Sequence, residues 1–135
     1  MAEPLIFIGT YTIKEGKLEE FKQYCGELCK LLEENEPRLI HFKQYLNDDG
    51  TEMTSVQIHP DEDSMAFHMQ VAGERMAQAY EYIDAIKSLQ IYGEPSDAFV
   101  EQMKPASEPG FPVIVKTKFA GFNRLPTMAG SEPAS

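Results

Sequence analysis

Apolar and polar residues alternate along four short segments of the chain, and this period of two predicts β-strands. Residues 5–13 are apolar on both faces, so we expect this strand to lie in the middle of a sheet with both sides covered. Residues 38–46 and 51–59 flank the turn sequence NDDG and should pair as a hairpin. Residues 88–93 supply the fourth strand.

Apolar positions spaced by three and four residues predict helical regions between these strands. Residues 17–34 carry one such stripe opposite a charged face. The second region follows the acidic run DEDS, which offers N-cap oxygens and negative charge to a helix start. We expect Gly73 to divide this region, with a second helical piece over residues 74–87. Ser96 should then cap a short helix that runs through Met103.

The order strand, helix, strand, strand, helix, strand is the split βαβ pattern of an α+β fold. It predicts a ferredoxin-like βαββαβ antiparallel sheet with helices on only one face. The other face would expose the apolar side chains of residues 5–13, a larger patch than a soluble monomer tolerates. We therefore expect a homodimer, a dimeric α/β barrel in which two sheets pack face to face with the helices outside.

The C-terminal third of the chain adds one more element. Residues 111–123 alternate again and should form an extra edge strand that borders or reaches the partner's sheet, with lysines on its open side. We divide the chain into a ferredoxin-like domain over residues 1–104, a linker with the edge strand over 105–125, and a disordered tail over 126–135.

Charge narrows the choice of partners. The 135 residues carry a formal net charge of −10 and no cluster of lysine or arginine, which argues against a nucleic-acid partner and against an anionic membrane surface. No apolar run is long enough for a signal peptide core or a membrane span. These features favour a cytoplasmic protein.

The candidate chemistry lies where the hairpin's second strand meets the following helix. The period of two places Ser55, Gln57 and His59 on one strand face. His68 follows on the apolar stripe of the helix, three residues after Met65 and directly before Met69. A titratable ring on an apolar stripe is either a satisfied core group or part of a site, and the spacing alone leaves both readings open.

Other motifs are missing from the sequence. No spacing of His, Cys, Asp and Glu matches a metal site, and no glycine-rich phosphate loop or nucleophile elbow is present, so we expect neither a metal nor a cofactor. Cys25 and Cys29 stand four apart on a predicted helix, where two small core thiols are expected rather than a disulfide, a metal site or a redox pair.

Several stretches together resemble the antibiotic-biosynthesis-monooxygenase-like family of dimeric α+β barrels, over about residues 5–100. The matching pieces are IKEGK at residues 13–17 with Glu20-Phe21, Glu36-Pro37 before the second strand, and the strand-to-helix run at residues 56–69, VQIHPDEDSMAFHM. Val56, Gln57 and His59 occupy positions where the family usually has Tyr, Glu and Trp, and His68 keeps the place of a family histidine. A second histidine, common one turn later, is replaced by Ala72-Gly73.

The resemblance implies a cofactor-free monooxygenase that acts on a small aromatic substrate of the phenol or quinol type. His68 would be the catalytic base, with Tyr11, Gln57 and His59 as polar anchors. Met65 and Met69 would be among the apolar contacts of the substrate if the methionine-rich stripe lines a cavity; otherwise the stripe is plain core. The haem-degrading members rely on the tryptophan that His59 replaces here, and the chain has no tryptophan.

The alternative is a non-catalytic dimeric barrel that binds a small apolar ligand or serves as an assembly module. It is favoured by the loss of the family's tryptophan and second histidine. A cavity with His68 in its wall would favour the enzyme, whereas a fully packed interior would favour the binding module.

Overall fold

The computed structural model of the protein describes residues 3–103 and 112–124. These residues form a single α+β unit with a mixed five-stranded sheet and three helices. The elements follow in the order β1 (Leu5–Ile13), α1 (Leu18–Asn35), β2 (His41–Leu46), β3 (Glu52–His59), α2 (Glu62–Ala79), β4 (Ile83–Tyr92), α3 (Asp97–Met103) and β5 (Val113–Lys116).

The sheet has the strand order β2-β3-β1-β4-β5. β1 is antiparallel to both β3 and β4, which confirms the predicted central position of the strand that is apolar on both faces. β2 and β3 form the predicted hairpin. This is the ferredoxin-like arrangement, and β5 extends it by pairing parallel to β4.

The buried face of the sheet packs on the helices through two core clusters. One joins Phe21, Leu28 and Leu32 of α1 to Met53 of β3 and Ala72 of α2. The other is built around Ile91 and Phe99 farther along the sheet. On β3, residues 53, 55, 57 and 59 are buried while the intervening ones are partly exposed, as the alternation predicts.

Two boundaries predicted around α2 are wrong. The helix runs through Gly73 without a break, because the packing of neighbouring Ala72, which is fully buried, outweighs the roughly 1 kcal/mol that glycine costs a helix. It ends at Ala79, so residues 83–87, predicted to be helical, belong to β4. Two irregularities in the pairing of β4 with β1 cause the error. At each irregularity one residue of β4 is skipped in the pairing, so the inward-facing residues Ile83, Ile86 and Leu89 are three apart. That spacing resembles the apolar stripe of a helix.

The predicted C-terminal edge strand exists but is shorter than residues 111–123, because its ladder with β4 covers only Leu89–Tyr92. Beyond it, Phe119 and Phe122 are 99% and 80% exposed. The part of the predicted 105–125 segment before residue 112 and the predicted tail over 126–135 lie outside the described residues, so the domain division stays a prediction. Among the residues that the structure describes, no helix is both long and apolar enough to cross a membrane.

The turn of the β2–β3 hairpin offers a test of the backbone. Gly50 has a φ of +71°, and a Cβ there would lie 2.6 Å from Cδ2 of Leu18. Gly50→Ala is therefore expected to lower the free energy of unfolding by about 1–2 kcal/mol, because an L side chain disfavours this conformation. Urea titration measures the change. Gly26→Ala, in open space on α1, should instead be neutral or stabilising, and equal losses in both variants would contradict the backbone argument.

Candidate active site

A cavity of about 60 Å³ lies between the sheet and helices α1 and α2. Most of its wall is apolar, with side chains such as Phe21, Leu28, Phe42, Met53 and Met76. Seven polar or phenolic side chains also reach it: Tyr11, Tyr24, Gln44, Ser55, Gln57, His68 and Tyr80. An apolar pocket with a few convergent polar groups is the usual form of a small-molecule site.

His68 lies in the cavity wall and is only 3% exposed. Its Nδ1 is 3.0 and 3.1 Å from the two carboxylate oxygens of Glu36, and its ring packs against Phe42 at 5.9 Å between centroids. Within the described part of the chain, its Nε2 has no hydrogen-bond partner. One ring nitrogen is therefore fixed by a carboxylate, and the other is available to a ligand.

Glu36 is the site residue that the sequence did not predict. It follows α1 as the C-cap, where its backbone N–H donates to the carbonyl of Leu32, and the chain then turns at Pro37. Its side chain is 2% exposed. A carboxylate at a helix C-terminus opposes the helix dipole, so an acidic residue immediately before a helix-ending proline was the one available signal.

Burial sets the protonation of this pair. It raises the pKa of the Glu36 carboxyl to about 7 and lowers the pKa of His68 to about 4. The imidazole is consequently neutral at neutral pH, while the carboxyl changes its charge there. When Glu36 is ionised it accepts from Nδ1–H, which leaves a lone pair on Nε2 of this cavity-lining side chain.

His59 does not line the cavity, so the structure does not support direct contact between it and a substrate. It is fully buried behind His68, with 5.6 Å between ring centroids. Its Nε2 is 2.9 Å from Oε1 of Gln57 and its Nδ1 is 2.8 Å from Oγ of Ser64. Both nitrogens are satisfied, and burial together with nearby His68 lowers the pKa of His59 to about 3. It is a neutral core histidine that holds Gln57 in place.

Gln57 and Ser55 line the cavity from neighbouring positions of one strand face. Since the Oε1 of Gln57 accepts from His59, its amide N–H groups are free to donate to a ligand. The Oγ of Ser55 is buried without a hydrogen-bond partner among the described residues. Buried polar atoms are almost always satisfied, so Ser55 marks a position where a bound molecule would supply the partner. The alternation of β3 already placed it beside Gln57.

Three tyrosines, Tyr11, Tyr24 and Tyr80, form the phenolic part of the wall, and the hydroxyl of Tyr24 donates to the carbonyl of Arg75. Burial, reinforced by Tyr80, raises the pKa of Tyr11 to about 12, so its hydroxyl stays a hydrogen-bond donor. The ring lies back over Gly9, where an added Cβ would come within 2.7 Å of the hydroxyl. Tyr80, the C-cap of α2, is 55% exposed and stands between the cavity and solvent.

The two methionines predicted to contact the substrate do not line this cavity. Met65, 2% exposed, packs in the cluster of Ile91 and Phe99. Met69 is 40% exposed, because the residue after an inward-facing His68 points about 100° away around the helix. Met53 and Met76 provide the methionine surface instead.

The remaining candidate groups lie apart from this site or are unreactive. His41 pairs with Ile58 on the opposite sheet face. Across residues 3–103 and 112–124, no three His, Cys, Asp or Glu side chains are grouped as metal ligands. Cys25 and Cys29 are partly buried free thiols, and burial raises the pKa of both.

Comparison with solved structures identifies the fold. MupZ from Pseudomonas fluorescens superposes with a TM-score of 0.74 at 19% identity, covering 92% of this chain and 91% of MupZ. A Nitrosomonas europaea protein named as an antibiotic biosynthesis monooxygenase gives a TM-score of 0.60 at 17% identity, covering 70% of this chain and 92% of that one. The chain has the antibiotic-biosynthesis-monooxygenase fold. The resemblance inferred from residues 5–100 is thereby confirmed for the fold.

This fold is also found in a structure of the same name from Bacteriodes thetaiotaomicron, with a TM-score of 0.57 at 15% identity and coverage of 62% of this chain and 83% of that one. No family model and no curated protein match the sequence. The MupZ superposition extends past α3, since residues 1–103 alone could not supply its coverage. At these identities the comparisons establish the architecture, and the chemistry has to be argued from the cavity.

Proposed function

We propose that this protein is a cofactor-free monooxygenase acting on a small aromatic substrate of the phenol or quinol type. The observation that supports it most is the pairing of His68, which lines the cavity while its Nδ1 is bound to buried Glu36. A neutral imidazole held in this way is suited to accept a phenolic proton. The names of the structures with the same fold agree with this class of reaction.

Deprotonation is the step that the cavity is equipped to assist. The phenol O–H would donate to Nε2 of His68. Donors already in the wall, the hydroxyls of Tyr11 and Ser55 and the amide of Gln57, would hydrogen-bond to the phenolate oxygen. Because these groups are fixed in an apolar surrounding, they stabilise the developing negative charge more than water-exposed groups would.

The electron-rich phenolate then supplies all the electrons that dioxygen needs. Its para carbon bonds to dioxygen, giving a dienone peroxide. Protonation of the peroxide, loss of the ring C–H proton and cleavage of the O–O bond give a quinone and one water. One oxygen atom enters the product and the other leaves as water. No external reductant is required for this balance.

The size of the cavity limits the substrate. An engineered cavity of about 150 Å³ accommodates benzene, whereas this one encloses about 60 Å³. Binding of even a single ring therefore requires the wall to move. Tyr80 is 55% exposed at the end of α2 and is the lining side chain with the most freedom to swing outwards. We propose that substrates enter past Tyr80.

A non-catalytic barrel that binds a small apolar ligand remains the second candidate. The small volume and the mostly apolar wall of the cavity favour it. A binding module would bind its ligand without consuming oxygen. In that case His68 would only fill space in the cavity wall and hydrogen-bond to Glu36.

Oxygen uptake with a panel of quinols, anthrones and simple phenols tests the proposal. We expect turnover by the wild-type protein, and a fall of about 100- to 10,000-fold in His68→Gln, because that variant loses the general base. Met69→Gln, the same new side chain at an exposed neighbouring position, should keep full activity. Equal turnover in His68→Gln would remove His68 from the mechanism. Calorimetric binding of these compounds with no uptake at all would favour the binding module.

The functional unit that we propose is a homodimer joined through the sheet face opposite the helices. That face carries Ile6 and Ile8 of β1 and Val56 and Ile58 of β3, which pair as cross-strand neighbours and remain partly exposed in the single chain. Two copies packed through these residues would leave both His68 cavities on the helix side.

A further inference from the structure

The Glu36–His68 pair lies between the cavity and one part of the protein surface, away from Tyr80. His68 borders the cavity on one side. On the other side Glu36 borders two surface hollows, one shared with Cys29 and Leu39, the other with Arg38 and Phe67. The carboxyl group is thus the last buried group between His68 and the surface.

Among residues 3–103 and 112–124, the surroundings give Glu36 no unpaired cation to balance its charge. The titratable and charged side chains that face it or its hollows come from α1, from the segment after it, from β3 and from α2: Cys29, Glu33, Arg38, His59, Asp63 and His68. Arg38, the one permanent cation among them, is paired to Asp61 through two hydrogen bonds of 3.2 and 2.6 Å. A buried carboxylate whose hydrogen-bond partner is a neutral imidazole is costly for folding, and groups of this kind concentrate at functional sites.

The proposed deprotonation poses a problem that the pair can solve. If His68 kept the phenolic proton, it would become an imidazolium in an apolar wall, and burial opposes that charge. Its Nδ1–H already points at both oxygens of Glu36. Transfer of that proton to the carboxylate leaves the ring neutral, with its remaining proton on Nε2.

We infer that Glu36 is a positioning residue that stores the substrate's proton during the oxygen step and returns it through His68 to the peroxide. This inference rests on the proposed function. The phenolic proton moves to Nε2 and the Nδ1 proton moves to Glu36, so the negative charge passes from carboxylate to phenolate. When the peroxide anion has formed, Nε2–H protonates it and the carboxylic acid returns its proton to Nδ1. The pair ends as it began, and no proton is gained or lost.

The relay predicts a particular pH dependence. Only ionised Glu36 holds the tautomer with a free lone pair on Nε2, so activity requires the carboxylate. With the pKa of Glu36 raised to about 7, kcat/KM should rise with pH through neutrality and level off above it. The phenolic substrates used must ionise well above this range so that their own titration does not contribute.

The test combines kinetics with a measurement that needs no substrate. Glu36→Gln keeps a hydrogen-bond acceptor for Nδ1 but cannot take a proton, so kcat/KM should fall about 100-fold or more and the rise near neutrality should disappear. Glu36→Asp should regain part of the rate together with the rise. Glu34→Gln, the same substitution at an exposed position of α1, should change neither. In the wild-type protein, nitrogen-15 NMR should show the His68 proton moving from Nε2 to Nδ1 as the pH rises through neutrality.

The outcomes separate this inference from the proposed function. Turnover that depends on His68 but keeps its pH profile in Glu36→Gln would overturn the relay and leave the monooxygenase standing. A tautomer change with a coupled carboxyl titration, in a protein that oxidises no phenol, would support the relay and count against the substrate class. A His68 tautomer that is constant across neutral pH would overturn the relay even if Glu36→Gln fails to fold.

Discussion

The full-length protein is expected to sediment as a homodimer at micromolar concentration. The sheet face opposite the helices carries Ile6, Ile8, Val56 and Ile58 side by side across β1 and β3. Leaving this face in water would expose several hundred Å² of apolar surface, worth on the order of 10 kcal/mol at roughly 25 cal/mol per Å². Pairing two such faces recovers much of that free energy, even after the cost of lost rigid-body freedom.

Sedimentation equilibrium measures this assembly, and two kinds of variant locate the interface. Ile8→Lys should give a folded monomer, because each copy would then bury an unpaired charge in the contact. Gln23→Lys, on the exposed side of α1, should remain dimeric. A folded full-length monomer at the same concentration would rule out face-to-face packing.

The C-terminal segment is expected to strengthen the dimer rather than to build the fold. Phe119 and Phe122 are 99% and 80% exposed, and only the guanidinium of Arg124 is stacked over the ring of Phe122 among the described residues. Such exposure is costly for aromatic rings unless a second copy covers them. Ending the chain at Met103 should therefore weaken dimerisation and leave the ferredoxin-like core folded. If the truncated protein dimerises as tightly as the full chain, the segment has no role in the dimer, while the face-to-face packing of the sheets still stands.

Acid is expected to unfold the protein through His59. The pKa of this buried ring is lowered to about 3, against an ordinary value of 6.5. Because the folded state disfavours the protonated ring, neutral His59 contributes its full stability above pH 6.5. That contribution is lost as the pH falls towards 3, and the full loss in the free energy of unfolding is about 5 kcal/mol. His68 and Glu36 largely offset each other between 4.5 and 6.5, since the pKa of His68 is lowered and that of Glu36 is raised. His59 is left as the main acid-sensitive group.

Replacement of His59 should make two stability curves cross. At neutral pH, His59→Gln is expected to unfold more easily by about 1–3 kcal/mol, because Gln57 and Ser64 lose well-placed hydrogen bonds. At about pH 4 the wild-type protein has lost about 3 kcal/mol that the variant keeps, so the variant should then be as stable or more stable. Urea titrations across this range measure both curves. His41→Gln, on the opposite sheet face, should follow the wild-type curve, and parallel curves for His59→Gln would contradict the assignment.

The sequence determined the parts of this fold that local patterns control. The apolar faces of β1 fixed it as the central strand, and the alternation of β3 put Ser55, Gln57 and His59 on the buried side. The helical stripe placed His68 inwards, and Ser96 caps α3 through a bond from the backbone N–H of Phe99. Each of these features depends on residues a few positions apart, which is the range over which a strand or helix period can be read.

The tertiary structure decided what those residues face. Glu36 and His68 are 32 positions apart and meet because α1 ends beside the middle of α2. His59 and His68 are both buried, yet their surroundings differ because of the way β3 lies against the helix. His59 hydrogen-bonds to Gln57 and Ser64, whereas His68 borders the cavity. Met65 packs in the other core cluster and Met69 is largely on the surface, so neither lines that cavity. The spacing of apolar residues along the helix does not determine which part of the core each one reaches.

The strand β4 shows the same limit within a single element. Its pairing with β1 skips Asp84 and Lys87, so the apolar spacing becomes three, and the sequence imitates a helix. Only the neighbouring strand, through its hydrogen bonds, selects the extended form. Local periodicity therefore indicated most of the buried positions, with Met69 as an exception, while long-range pairing decided which of them form the core and which form the site.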